Sequence, residues 1–157
     1  MSGTVVVGVD GSWASVRALR WALAEAADHD YQVEVVTAWP HTGPVFVREV
    51  PGHHSDARER ARTAQHRAIR EARSPATDAV AVSAVLENAR PEEALSLRAR
   101  GRRMLVVGAG AGVDHVEQAR TELAERCRER VDCPVAVVAA EAGETEVLEP
   151  LLARTRG

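Results

Sequence analysis

The chain contains no lysine: all 20 of its basic residues are arginine, set against 23 acidic ones. Two chemistries are excluded with that residue, because a Walker A loop needs a lysine ammonium on the phosphates and a Schiff base needs a primary amine. Aromatic residues are scarce, at 3%, so the core must be assembled from Val, Leu and Ala. Only two cysteines occur, Cys127 and Cys133, at a spacing that matches neither a zinc nor a redox motif. Cys127 falls on the apolar stripe of a helical segment and reads as a packing residue. The N-terminus lacks a basic segment, and its apolar run, Val5 to Val9, is too short for a signal sequence or a membrane span. These absences predict a cytoplasmic protein with reduced thiols and no membrane partner. The net charge of -3 gives no bulk electrostatic footprint for nucleic acid.

At 157 residues and 45% hydrophobic content the chain fits one domain. The continuous apolar run at residues 4–9 reads as a strand covered on both faces, and residues 32–39 read as the second strand. Ser12 reads as an N-cap for a helix running to about Asp28, on Val16, Leu19, Leu23 and Ala26. Trp13 and Trp21 lie off that stripe and read as cover for the helix edge. Pro40 ends the second strand, and residues 40–54 form an irregular connection with Phe46 among valines. Residues 55–73 are helical, with alanines at threes and fours and arginines on the other faces. That basic face reads as solvated surface, so nucleic acid is not an expected partner. Residues 79–86 alternate mildly, as an edge strand does. Pro91 opens a short helix to about Ala99, with Glu92 and Glu93 in its first turn.

A fourth strand starts at Met104 and ends in Gly108-Ala109-Gly110-Ala111-Gly112, followed by a helix from Asp114 to about Val131 and a fifth strand at residues 134–139. Five strands separated by helices predict one open parallel sheet. The tail, residues 140–157, admits either a short helix packed on the body or a partner, or a frayed end. The glycine loop is not a dinucleotide fingerprint: the third Gly of G-x-G-x-x-G would fall at Val113, and only one helix and one strand follow it. His53, His54, Asp56 and the distant His41 lack ligand spacing, so no metal site is expected. Ser12 has no His placed by motif and reads as a cap, not a nucleophile.

Taken together, Val6-Val7-Gly8-Val9-Asp10-Gly11-Ser12, the late glycine loop and Cys133-Pro134-Val135 resemble the universal stress protein family over residues 4–139. The resemblance implies an α/β, Rossmann-like fold: a five-stranded parallel sheet of order 3-2-1-4-5 with helices on both faces. It further implies a homodimer joined along the fifth strand, and ATP binding that is mostly regulatory. In nucleotide-binding members the loop runs Gly, two residues, Gly, nine residues, then Gly and Ser or Thr. With the first Gly at Gly108, the second falls at Ala111, beside Gly110 and Gly112, the third at Thr121, and the hydroxyl residue at Glu122. Asp10 matches the acidic residue near the nucleoside, and Ala38 lies where the second strand would meet adenine.

The departures have magnitudes. Losing one hydroxyl donor costs about 1 kcal/mol. A carboxylate held ~4 Å from a phosphate charge costs about 4 kcal/mol near a surface, roughly a thousandfold in affinity. The expectation is therefore a non-catalytic, regulatory stress-response dimer, requiring no cofactor, with ATP binding weak or lost. The alternative is a working sensor of ATP or AMP in the crevice between strands 1 and 4. An enzyme is not expected, because no paired acid and base is visible at the loop.

Overall fold

The computed structural model describes residues 3–39, 56–109, 122–139 and 145–151. Its elements are β1 (Thr4–Gly8), α1 (Trp13–His29), β2 (Gln32–Ala38), α2 (Asp56–Ala72), β3 (Val82–Glu87), α3 (Pro91–Ala99) and β4 (Met104–Ala109), then helix α4, described over residues 122–128, β5 (Val135–Ala139) and β6 (Thr145–Leu148). A single 3-10 turn, Pro75–Thr77, separates α2 from β3.

The strands form one sheet of order β3-β2-β1-β4-β5-β6. The first five are parallel, as the sequence leads one to expect, with Val5 opposite both Val33 of β2 and Met104 of β4. The sixth is antiparallel to β5, with Val135 opposite Leu148 and Val138 opposite Thr145. Within the tail, residues 145–148 form a strand that the sequence did not announce, while residues 140–144 and 152–157 lie outside the described residues. The physical reason lies in β5, whose outer N–H and C=O groups need partners that a neighbouring extended segment supplies.

Successive side chains of a strand point to opposite faces, and β1 divides accordingly. Val5 and Val7 join Leu19, Leu23, Val33, Val35 and Ala68 beneath α1 and α2. Val6 joins Val36, Leu95, Leu105, Cys127 and Val135 beneath α3 and α4. Both faces are covered, which explains why β1 reads as a continuous apolar run.

The helix ends follow from local chemistry. Ser12 is extended, and its hydroxyl accepts the Ser15 N–H at the start of α1. Asp30 closes the helix in the left-handed conformation, at φ 58°, which Asp tolerates better than most residues. Trp21 packs against the core, whereas Trp13 is 52% exposed, with the Arg17 and Arg20 guanidinium groups over its ring. The basic face of α2 is exposed at Arg60, Arg62, Arg67 and Arg70.

Beneath α2, the buried Gln65 donates its amide to the carbonyls of Val35, at 3.3 Å, and Val85, at 2.8 Å. One side chain thus ties the helix to two adjacent strands. On the opposite face Glu34, buried in β2, accepts hydrogen bonds from Arg98 of α3.

Candidate functional site

The strand order reverses between β1 and β4, and the carboxyl ends of strands at such a switch point form a crevice. In this chain that crevice has a volume of about 120 Å³. Gly8, Val9, Val107 and Gly108 form its floor, Val36 and Ala38 its β2 side, and Pro91, Leu95 and Leu123 its cover from α3 and α4. The polar groups at its edge are Asp10, Ser12 and Ser15.

The Asp10 to Ser15 segment is shaped by its own side chains. Asp10 Oδ1 accepts the Ser12 N–H at 2.9 Å, an Asx turn that carries the chain into α1. Gly11 completes the turn at φ 84°, a conformation that favours glycine. The Ser15 hydroxyl donates to the Ser12 carbonyl at 2.9 Å and accepts the Asp10 N–H at 3.3 Å. Behind them, the buried Thr37 hydroxyl donates to the Val9 carbonyl at 2.8 Å, holding the end of β1 against β2.

The floor is set by a close approach of backbones. A Cβ on Gly108 would lie 2.5 Å from the Ala14 carbonyl oxygen, so only glycine lets β4 reach the first turn of α1. A Cβ on Gly8 would meet the Leu95 side chain at 3.0 Å. The Leu95 side chain thus rests directly on the end of β1.

Of the residues singled out in the sequence, Asp10, Ala38 and Gly108 line the crevice. Gly110, Ala111, Gly112 and Thr121 lie outside the described residues. Glu122 is described. Its side chain is 53% exposed and forms an ion pair of 3.9 Å with Arg126, one turn along α4. It does not line the crevice. The connection at 40–54, with Phe46, His41, His53 and His54, also lies outside the described residues.

Sequence reasoning missed Ser15, Pro91, Leu95 and Leu123 as crevice residues. Ser15 carried a usable signal, because a hydroxyl three residues after an N-cap bonds back to the turn. Leu95 and Leu123 carried none beyond apolar periodicity, since their convergence on β1 and β4 is a property of the packed fold.

Several features bear on chemistry. Among the described residues, no group of His, Cys, Asp and Glu could hold a metal ion, and no helix is long and apolar enough to cross a membrane. Cys127 and Cys133 are buried, and burial pushes their thiols up, to about 12 and about 11. They are protonated, inert packing groups at neutral pH.

The chain is similar to known proteins. The model of the universal stress protein family matches residues 1–139. Two curated universal stress proteins of Mycobacterium tuberculosis, from strains H37Rv and CDC 1551, are each 33% identical over 134 residues, or 85% of this chain. The matched part is 47% of each, so the chain spans about half the length of the curated relatives it matches. Among solved structures, a universal stress protein in complex with cAMP superposes with a TM-score of 0.62 at 21% identity, covering 88% of this chain and 98% of that one. An Arabidopsis thaliana family member with AMP bound gives a TM-score of 0.51 at 17% identity, covering 89% and 93%. A Burkholderia pseudomallei member gives 0.50 at 24%, covering 87% and 95%. A sheet of this order with five parallel strands, a crevice at its switch point and a family match across residues 1–139 lead to one conclusion: the chain belongs to the universal stress protein family.

Proposed function

We propose that this chain is a non-catalytic regulatory protein whose crevice between β1 and β4 admits an adenine mononucleotide and holds ATP weakly or not at all. One observation carries the reading. The described lining of the crevice is apolar on three sides, its one charged group is the carboxylate of Asp10, and it includes no arginine.

An apolar slot between Val36, Ala38 and Leu95 suits a flat base, and an acidic side chain at its edge suits ribose hydroxyls. A triphosphate brings more negative charge to a site whose described lining holds an acid and no cation, so among the described residues only backbone N–H groups are there to meet it. A monophosphate or cyclic phosphate makes a smaller demand. The solved relatives bound to AMP and cAMP support the same choice of ligand.

In this reading residues 1–139 are the ligand-binding domain, and the protein works in the cytoplasm as a homodimer joined through β5. Nucleotide occupancy changes which protein partners it engages. No metal or cofactor is required. Gly110, Ala111, Gly112, Thr121 and Glu122 belong to the phosphate end of the site, and Asp10, Ala38 and Gly108 to the nucleoside end.

Titration calorimetry with AMP, cAMP and ATP, with and without magnesium, tests the proposal. The expected result is AMP or cAMP binding at least tenfold tighter than ATP, with no release of phosphate. Tighter binding of ATP overturns the ligand assignment. Turnover of ATP that is lost in Asp10→Ala overturns the non-catalytic one.

A further inference from the structure

Natural sheets protect their edges with charges, proline or short covering segments. The sequence of β5, Val-Ala-Val-Val-Ala, carries none of the first two. Its protection is β6, which lies antiparallel along four residues of it.

The two ends of β6 are held very differently. At its C-terminal end Arg128 of α4 donates two hydrogen bonds, from Nε at 3.1 Å and Nη2 at 3.0 Å, to the Glu149 carbonyl just after β6. The same guanidinium is held by the Glu125 carboxylate at 3.1 Å. Pro150 then follows, buried and without an N–H to extend the ladder. At the N-terminal end the Thr145 hydroxyl is buried with no hydrogen-bond partner among the described residues, a configuration that weakens docking. Val147, in the middle, is 47% exposed. The strand is therefore clasped at one end, while at the other no comparable side-chain hydrogen bond is present among the described residues.

We propose that β6 is a displaceable guard on the β5 edge, and that a second copy of this chain is the partner that replaces it. This rests on the reading of a β5-joined homodimer given above. The β5 edge already accepts an antiparallel strand, which is the arrangement a two-fold axis produces when like strands meet. It is uncharged, so two copies bring no repulsion along the strands. The outer edge of β6 is a poorer surface for a second copy, because each of two paired β6 strands would bring a glutamate, Glu146, to the contact. A docked β6 therefore keeps the chain monomeric, and its release exposes the surface for the dimer.

The test compares the full-length chain with Arg128→Ala, which opens the clasp, and Thr145→Val, which removes the unpartnered hydroxyl at equal volume. Arg128→Lys serves as a second loosening variant if the alanine form folds poorly. Sedimentation velocity across a concentration series gives the dimerisation constant of each, and hydrogen exchange reads protection at residues 145–148. Each dimer releases two β6 strands, so a change of about one hydrogen bond per strand counts twice: loosening is expected to tighten dimerisation about thirtyfold or more, and Thr145→Val to weaken it about thirtyfold. Amides at 145–148 are expected to be protected in the monomer and to exchange freely in the dimer.

Equal dimer affinities in all forms, with residues 145–148 protected throughout, overturn the guard while leaving the dimer. Absence of a dimer in every form, including the loosened ones, overturns both.

Discussion

Arg98 and Glu34 meet as a fork on a carboxylate: Nε lies 2.8 Å from Oε1 and Nη2 3.0 Å from Oε2. The Glu34 side chain is 8% exposed, and Arg102 approaches its second oxygen at 3.5 Å. The hydrogen bond to Glu34 is the main cause holding the Arg98 guanidinium above its ordinary value, so it stays charged at any accessible pH. The pair ties α3, which covers the crevice with Leu95, to the middle of the sheet.

Breaking this pair from one side leaves a buried charge. Arg98→Ala is expected to lower the stability of the fold by about 3 kcal/mol, since Arg102 compensates only in part. Replacing both partners with apolar residues, Glu34→Leu with Arg98→Met, is expected to cost far less. Urea denaturation of the three forms checks this, and equal losses in the single and double variants would contradict it.

The Gly108 contact makes a second prediction. The atom that a Cβ would strike at 2.5 Å is backbone, and cannot swing aside as a side chain does. Gly108→Ala is expected to destabilise the fold by about 1–3 kcal/mol, as overpacking does, and to weaken nucleotide binding because the floor must shift. Gly101, at φ 69° with open space around it, is the contrast: Gly101→Ala is expected to cost stability through backbone strain alone, without any effect on ligand.

A third prediction concerns the crevice itself. Ala38→Leu places three more carbons where the base is proposed to sit, and is expected to abolish AMP binding while leaving thermal stability within a few degrees. Differential scanning fluorimetry with and without AMP reads both quantities in one experiment. Unchanged AMP binding would move the base elsewhere.

The thiols give a pH dependence with a definite sign. Cys127 and Cys133 rise from 9.0 in the unfolded chain to about 12 and about 11 in the fold, with desolvation as the leading cause. The folded state therefore holds its thiol protons more tightly, and stability falls as pH climbs from about 9 toward 11–12. Below pH 9 these two groups contribute no pH dependence. Alkylation by iodoacetamide at pH 8 is expected to track global unfolding, and Cys127→Ala with Cys133→Ala should flatten the alkaline arm of the stability curve.

The acid on α4 gives a fifth. Glu122→Ser with Thr121→Gly places the family's glycine and hydroxyl at those positions, and the double change is expected to tighten ATP more than AMP. Since Glu122 is half exposed and leans toward Arg126, the gain is expected to be about tenfold, well short of the thousandfold of a carboxylate held against the phosphate. Calorimetry with both nucleotides measures it, and no change in ATP affinity would remove Glu122 from the account.

Much of the architecture was legible because covered parallel strands announce themselves. Val5-Val6-Val7 is apolar on both faces, Val33 to Val36 is interrupted only by Glu34, and each is bounded by a turn residue, a cap or a proline. Thr145–Leu148 gave no such signal. Four residues are too few for a period-2 pattern to stand out, and what makes them a strand is the edge of β5, which no local window contains. The crevice divides along the same line. Asp10, Ala38 and Gly108 stand at the ends of strands, where motif spacing points, whereas Leu95 and Leu123 reach the site from helices whose approach is decided by packing. Ser15 sits between, readable from its distance to Ser12 but meaningful only once the turn has formed.

The backbone contact between Gly108 and Ala14 has a consequence for recognition. Since β4 and the first turn of α1 are already wedged together, this part of the binding surface is preorganised: its ordering entropy is lost when the chain folds and is not charged again when a molecule arrives. Differences in affinity among small molecules that rest there then reflect their own shape and charge, and a series of adenosine analogues becomes a direct ruler of the surface they touch.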